Sequence, residues 1–421
     1  MRLITLTALG ALAAGPALAA AEAPSEAAVL GTYADIAAAA YGDSLSTARM
    51  LRAAVEDFLA DPSAEGLDAA KGAWLAARVP YQQTEAFRFG NPIVDDWEGR
   101  VNAWPLDEGL IDYVAPGSTG ATDANEYGAL NVIASPSFTL SGKEVDASDI
   151  TPALLAETLH EADSVEANVA TGYHAIEFLL WGQDLNGTGP GAGARPWTDY
   201  AAGEACTGGN CDRRGQYLMA ATDLLVSDLE EMADAWAEGG AAREAALGDP
   251  AGVDRILTGM GSLSYGEQAG ERMKLGLLLN DPEEEHDCFS DNTHNSHYYD
   301  GLGIRNVYLG SYTGVDGTVT EGPSLSQLVA AADPEVDAAL RAALDATMEE
   351  LGEIRAAAEA GMAYDQMLDP ANAEGEELIQ SAIDGLVAQT REIERVVALL
   401  GREGVAFEGS DSLDDPTAVF E

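Results

Sequence analysis

Basic residues are scarce in this sequence, in which 21 lysines and arginines stand against 72 aspartates and glutamates for a formal net charge of −51 at pH 7. Phosphate backbones repel a chain this acidic, which excludes non-specific nucleic-acid binding and argues against docking on anionic lipid. The charge favours cations as partners instead. Most of the acidic residues should nevertheless be solvated surface, so charge alone does not locate a site.

Long hydrophobic runs are also missing, because no apolar stretch after the amino terminus reaches the roughly 18 to 20 residues that span a bilayer. The amino terminus itself combines Arg2, an apolar run from Leu3 to Leu12 and the small-residue sequence Ala17-Leu18-Ala19. This pattern is typical of a cleaved secretory signal. We predict a signal peptide over residues 1–19, cleaved near Ala19/Ala20, and an exported protein without a direct membrane span, periplasmic in a cell with two membranes.

Cysteine is nearly absent, with three in 421 residues. Cys206 and Cys211 flank the flexible sequence Thr-Gly-Gly-Asn, which predicts a small disulfide loop in an oxidising compartment and leaves Cys288 unpaired. A metal role for this C-x4-C pair is the alternative, but no second cysteine pair follows at zinc-site spacing.

Helical periodicity dominates what remains, and no convincing strand pattern interrupts it. We predict an all-α fold of two helical-bundle domains, residues 20–201 and 202–421, with the boundary in the glycine-rich segment around residues 186–210. Residues 85–90 and 271–276 share a weak pattern, which suggests that the two bundles are related by duplication.

The most informative motif is G-x-H-x-x-E, which places His174 and Glu177 three residues apart. A helix predicted from Thr151 to about Trp181 puts both side chains on one face, as a two-point metal clamp. Gly172 weakens that helix and indicates the close approach of another backbone or a ligand. His160 would lie about 21 Å before His174 on the same helix and cannot share its metal.

Other polar residues that could complete a site are scattered along the chain: Glu85 on an otherwise apolar helix, Asp107 and Glu108, and the segment 283–297 with Asp291 and His294. Carboxylate, imidazole and amide groups packed this densely suggest ligation of a hard cation or a transition metal. The alternatives are that Asp107 and Glu108 complement a helix dipole, and that residues 283–297 form an acidic surface loop.

Four motifs together resemble the imelysin family, and most closely its iron-regulated protein A branch: Trp74-x3-Arg78-x2-Tyr81-x3-Glu85, Asn102-Ala103-Trp104-Pro105-Leu106-Asp107-Glu108, Gly172-x-His174-x2-Glu177, and Cys288-Phe289-Ser290-Asp291-Asn292-Thr293-His294. The resemblance covers about residues 30 to 400. It implies two helical bundles with the G-x-H-x-x-E helix near a cleft between them, in an exported protein of bacterial iron acquisition. The cysteine that anchors some members to lipid is absent here.

Our leading hypothesis is an exported iron-binding protein that captures iron or an iron chelate and passes it on, with a membrane iron-uptake component as a candidate partner. His174 and Glu177 would be its ligands, and the resemblance places Glu85, Asp107, Glu108, Asp291 and His294 at other motif positions. The alternative is a zinc metallopeptidase of the imelysin type, with His174, Glu177 and a distant histidine such as His294 on zinc. A third reading is a docking surface that holds no metal.

Overall fold

Long amphipathic helices make up most of the computed structural model, which describes residues 23–116, 118 and 125–420. The predicted signal peptide and its cleavage point near Ala19/Ala20 lie outside the described residues. The predicted all-α fold is confirmed. Among the described helices, none combines the length and the apolarity needed to cross a membrane.

The first half of the chain is mainly helical and includes the helix that carries the G-x-H-x-x-E motif. Ser25 begins the first of them, because its side chain accepts a hydrogen bond from the Ala28 amide at 3.2 Å. The elements are α1 (Glu26–Ala60), α2 (Ala64–Gln82), a 3-10 turn (Glu85–Phe87), α3 (Pro92–Asn102), α4 (Glu108–Ile111), α5 (Pro152–Leu154), a π turn (Leu155–Leu159) and α6 (Gly172–Trp181).

The second half is also mainly helical, and two long helices lie near its end. Its elements are α7 (Cys211–Trp236), α8 (Ala241–Gly248), α9 (Gly252–Ser262), a π-helical stretch (Leu263–Lys274), α10 (Leu275–Leu279), α11 (Thr293–Leu309), α12 (Leu325–Ala332), α13 (Pro334–Glu359), α14 (Tyr364–Met367), α15 (Ala373–Leu399) and α16 (Asp411–Asp414). Helix α7 lies against α1, and α15 lies against α13.

Two short antiparallel hairpins interrupt the helices, although the sequence shows no strand pattern. Strands β1 (Ser137–Leu140) and β2 (Lys143–Asp146) pair with Phe138 opposite Val145. Strands β3 (Ser311–Thr313) and β4 (Val319–Glu321) pair with Tyr312 opposite Thr320. Each strand has three or four residues, too few for an alternating pattern to stand out in the sequence.

The helix predicted from Thr151 to Trp181 is broken in the structure, so that prediction is wrong in its middle. It begins as expected, since the Thr151 side chain accepts from the Leu154 amide at 3.2 Å, but it ends at Leu159. Asn168 holds the intervening loop by donating to the Ala162 carbonyl at 2.8 Å. A new helix, α6, then starts at Gly172, so His160 and His174 do not share a helix.

The largest hydrophobic core contains residues from both halves of the chain, among them Trp74, Tyr173, Leu225 and Leu340. A second, smaller core lies between α13, α15 and the π-helical stretch that leads into α10, and includes Met273, Leu351 and Ile383. The predicted division into domains at residues 201/202, and their possible duplication, stay predictions.

Candidate metal centre

Helix α6 carries the G-x-H-x-x-E motif through the interior, and all ten of its residues are buried. Gly172 has a φ of +82°, and a Cβ there would lie 2.5 Å from the Val101 carbonyl oxygen. Only glycine permits this contact, which confirms the close backbone approach predicted at this position. The contact fixes where α6 starts, and therefore where its third and sixth residues point.

His174 and Glu177 lie side by side on α6, as their spacing predicts. His174 Nδ1 is 3.0 Å from Glu177 Oε2, and both side chains are almost fully buried. Glu177 Oε1 accepts hydrogen bonds from the Ser290 amide at 3.0 Å and from the Ser290 hydroxyl at 2.7 Å. His174 Nε2 has no hydrogen-bond partner among the described residues, so one ring nitrogen of this histidine is available to a ligand.

The segment before α11 supplies two more donors to the same place. One ligand atom each of His174, His286 and Asp287 lies within 4.8 Å of the others, and all three residues are buried. The segment is held by its own hydrogen bonds, because the Asp287 amide donates to the Thr293 hydroxyl at 3.0 Å and Asn292 Nδ2 donates to Asp287 Oδ2 at 2.7 Å. Two imidazoles and one carboxylate therefore meet in a water-poor interior.

Arg78 of α2 provides the positive charge of this group. Its Nη2 donates to Asp287 Oδ1 at 2.8 Å and lies 3.4 Å from His286 Nδ1, while its Nη1 donates to Asn102 Oδ1 at 2.7 Å. The guanidinium also stands over the Tyr173 ring, 5.0 Å from its centroid. Arg78 therefore compensates the buried charge of Asp287 when no other cation is near.

Burial and these neighbours set the protonation of the group. Burial, reinforced by Arg78, lowers the pKa of His174 to about 3, and burial with Arg272 holds the pKa of His286 well below its usual range. Burial and the nearby Asp287 charge raise the pKa of Glu177 well above its ordinary value. Burial alone would raise the pKa of Asp287 too, but Arg78 and the hydrogen bonds from Ser296 and Asn292 together outweigh burial and lower that pKa. The two histidines are thus neutral, which is the form that binds metal.

Glu85 lies in a different network. It is buried, and its Oε2 accepts from Arg272 Nη2 at 2.8 Å. The same guanidinium is 2.7 Å from Glu267 and 3.0 Å from Asp300. This ion pair accounts for the burial of Glu85, which belongs to no group of possible metal ligands among the described residues.

Asp107 and Glu108 stand at the start of α4, apart from the histidines. Asp107 is the N-cap residue and accepts a hydrogen bond from the Asn125 side chain. Glu108 is buried, Gln183 Nε2 is 3.4 Å from its Oε1, and burial raises its pKa. Neither residue belongs to a group of possible metal ligands among the described residues.

Asp291 and His294 follow the buried segment without joining its ligand group. Asp291 lies with Asp184 and Asp365 in a second group, with one carboxylate oxygen of each within 4.8 Å of the others. Burial, with repulsion from Asp365, raises the pKa of Asp291 to about 7. His294 is half-buried, and burial lowers its pKa. Of the seven residues named from the sequence, His174 and Glu177 are the two that the structure places together at the histidine group.

The sequence did not single out His286, Asp287 or Arg78 as site residues. Asp287 and Arg78 are 209 positions apart, so nothing local in the sequence pairs them. One signal was available: three of the five histidines fall within residues 283–297. Within that segment the sequence favours His286 over His294 as a buried residue. His286 is next to Asp287, and the apolar pair Cys288-Phe289 follows directly.

Comparison with known proteins agrees with this architecture. The family model of imelysin, peptidase M75, matches residues 37–393. Iron-regulated protein A from Synechococcus elongatus is 37% identical over 60 residues, which are 14% of this chain and 17% of that protein. The chain thus matches about a sixth of the length of that curated relative.

Two solved structures share the fold. One, described as an iron-regulated protein A precursor from Parabacteroides distasonis, superimposes with a TM-score of 0.63 at 20% identity, over 90% of this chain and 96% of that one. The other, an imelysin-like protein from Psychrobacter arcticum, gives a TM-score of 0.56 at 16% identity, over 90% of this chain and 98% of that one. At these identities the similarity establishes the fold and leaves the chemistry to the site itself.

Proposed function

This chain belongs to the imelysin family, and from that premise we propose that it is an exported iron-binding protein whose ligands are His174, His286 and Asp287. We infer iron as the metal from the names of two similar proteins. The Synechococcus protein and the Parabacteroides structure are both described as iron-regulated protein A. We extend that connection to a role in iron acquisition, in the periplasm where the cell has two membranes.

The observation that carries the proposal is the donor set. Two imidazoles and one carboxylate, grouped with open positions, are a recurrent ligand set of non-haem Fe(II). His174 Nε2 is buried without a partner, which is costly unless a ligand occupies that place. The lowered pKa values of both histidines mean that an arriving ion displaces no proton from them.

Glu177 has a different role from the one its motif position suggests. It contacts His174 Nδ1 and is itself held by Ser290. A carboxylate that accepts from the second ring nitrogen of a metal-binding histidine fixes the tautomer and orients the ring. We therefore assign Glu177 to the positioning of His174, with Nε2 facing the ion.

Burial also favours a bare ion over a chelate, and binding over hydrolysis. His174, His286 and Asp287 are each no more than 2% exposed, so neither a peptide bond nor a bulky chelate reaches them without movement of the chain. The zinc peptidase remains the alternative hypothesis, since two histidines and a carboxylate also bind zinc. If the protein hands its ion to a membrane component, the segment around His286 must open to release it.

Metal binding by paired variants tests this assignment. Protein stripped of metal is dialysed against Fe(II) without oxygen, and against Zn(II), and the bound metal is measured by elemental analysis. We expect one tight iron in the wild type, loss of most of it in His174→Ala and in His286→Ala, and retention in His160→Ala. The matched control is a histidine that lies in no ligand group among the described residues. In Glu177→Gln the affinity should fall about 10- to 100-fold without being abolished, as for other residues that orient a ligand.

Iron retained at full affinity by both His174→Ala and His286→Ala would overturn the proposal. A peptidase is tested in the same samples: zinc-loaded wild type should leave unfolded insulin chains intact over hours. Cleavage that requires zinc, persists through purification to homogeneity and disappears in His174→Ala would establish hydrolysis instead.

A further inference from the structure

We propose that Asp184, Asp291 and Asp365, with Glu285 beside them, form a second cation site that takes a hard, oxygen-preferring divalent ion of the calcium type. One carboxylate oxygen from each aspartate lies within 4.8 Å of the other two. The site shares no residue with the histidine group, so it is a separate centre. The proposal does not depend on iron binding at His174.

The three aspartates come from parts of the chain that are distant in sequence. Asp184 follows the end of α6, Asp291 lies in the segment between α10 and α11, and Asp365 lies in α14 between the two long helices α13 and α15. Tertiary packing brings the three acids to one place, in contrast to a run of acids on one exposed helix. Carboxylates that the fold holds close together repel one another, so this arrangement needs a compensating positive charge.

Two of the four carboxyl groups are buried with few donors. Asp365 is 1% exposed, and neither of its carboxylate oxygens has a hydrogen bond of normal geometry among the described residues, although the backbone amides of Asp365 and Gln366 lie near them. Glu285 is also 1% exposed, and its Oε2 has no partner there. Buried carboxyl oxygens without strong donors destabilise the fold, and a bound cation would offset that cost.

No basic side chain performs this task in the described part of the chain. The charged groups that act most strongly on Asp291, Asp365 and Glu285 are other carboxylates. This contrasts with the interior around Asp287 and Glu85, where Arg78 and Arg272 supply the positive charge. The cluster is therefore the place where a positive charge from solution would find the least competition.

The chemistry of the donors favours calcium among the common cations. All are oxygens, which calcium and magnesium prefer and which leave imidazole-seeking metals to the histidine group. Three oxygens within 4.8 Å of one another can surround either ion. Calcium is favoured because it accepts about six to eight oxygens in flexible geometry, whereas magnesium demands a near-ideal octahedron and keeps several of its waters.

A bound cation would link three segments of the chain near the histidine group. It would join the end of α6, the segment that carries His286 and Asp287, and the turn between α13 and α15. A hydrogen bond already joins the segment after α6 to the segment after α14, from the Thr188 hydroxyl to Asp369 Oδ2 at 3.2 Å. Calcium should thus raise the melting temperature of the metal-free protein.

Calorimetric titration of the full metal-free chain with CaCl₂, repeated with MgCl₂, tests the site. We expect one calcium site, weaker binding of magnesium, and an affinity for calcium reduced at least about tenfold in the double variant Asp291→Asn/Asp365→Asn. The matched control is Glu349→Gln/Glu353→Gln, which removes the same two charges from exposed positions on α13. The control should bind calcium like the wild type.

The outcomes separate cleanly. Calcium affinity at the wild-type level in the aspartate double variant would overturn the proposal. An equal loss of calcium affinity in the control variant would also overturn it, because it would show diffuse attraction to an acidic surface. Asparagine keeps the shape of aspartate and removes the repulsion between carboxylates, so the double variant should fold. If its circular dichroism shows that it does not, the calcium affinity of Glu285→Gln is measured instead, and wild-type affinity there would overturn the proposal. His174→Ala should lose iron and keep calcium, which distinguishes failure of this site from failure of the iron site.

Discussion

Replacement of Glu85 by glutamine separates an ion-pair role from a ligand role at a residue that the motif pattern places in the site. In the structure Glu85 Oε2 is 2.8 Å from Arg272 Nη2, and both residues are 2% exposed. Glutamine keeps the size and an acceptor oxygen but removes the charge. The experiment therefore perturbs one buried interaction without opening a cavity.

The magnitude follows from what Arg272 retains. Loss of the sole partner of a buried charge costs about 3–5 kcal/mol, but Glu267 and Asp300 still lie 2.7 and 3.0 Å from this guanidinium. The loss is then that of one charge-assisted hydrogen bond, about 1.5–3 kcal/mol. Relief of repulsion offsets part of it, because the Glu85 charge helps to raise the pKa of Glu98. We expect the free energy of unfolding to fall by about 1–2 kcal/mol.

Urea unfolding of the metal-free protein, followed by circular dichroism, measures this loss, and elemental analysis after dialysis measures bound iron. The comparison variant is Glu56→Gln, whose exposed contact with Arg52 spans 3.0 Å and should contribute less than about 0.5 kcal/mol. Glu85→Gln should bind one iron with wild-type affinity despite its lower stability. Loss of iron at unchanged stability would refute the reasoning and restore Glu85 as a ligand.

Three further predictions concern protonation and thiol chemistry. Burial raises the pKa of Glu98 from 4.5 to about 7, so the folded chain binds its proton more tightly than the unfolded chain; the free energy of unfolding should decline as pH rises from about 4.5 to about 7, and less steeply in Glu98→Gln. Iron affinity should increase with pH because ionised Glu177 accepts from His174 Nδ1 and keeps Nε2 free for the ion, and that dependence should weaken in Glu177→Gln; an unchanged slope there would contradict the assignment. Alkylation without reductant should label Cys288 alone, slowly in the native protein because burial and Glu177 raise its pKa, and rapidly in urea; labelling of Cys206 or Cys211 would contradict the disulfide.

Local sequence determined several features of this protein, each through an interaction that spans a few residues. The Thr151 cap, the opposition of His174 to Glu177 and the disulfide between Cys206 and Cys211 are all present in the structure. Periodicity predicts helices because a helix repeats its buried face every three or four residues. Gly172 indicated a close approach, although the sequence did not show that the approaching group is the Val101 carbonyl.

Tertiary structure alone decided which polar residues share a site. Glu177 meets Ser290 across 113 residues, and Arg78 meets Asp287 across 209, so their pairing depends on how the helices pack. The same packing committed Glu85 to Arg272. Local patterns record which face of a helix is buried, whereas the choice of partner on that face depends on the free energy of the whole folded chain.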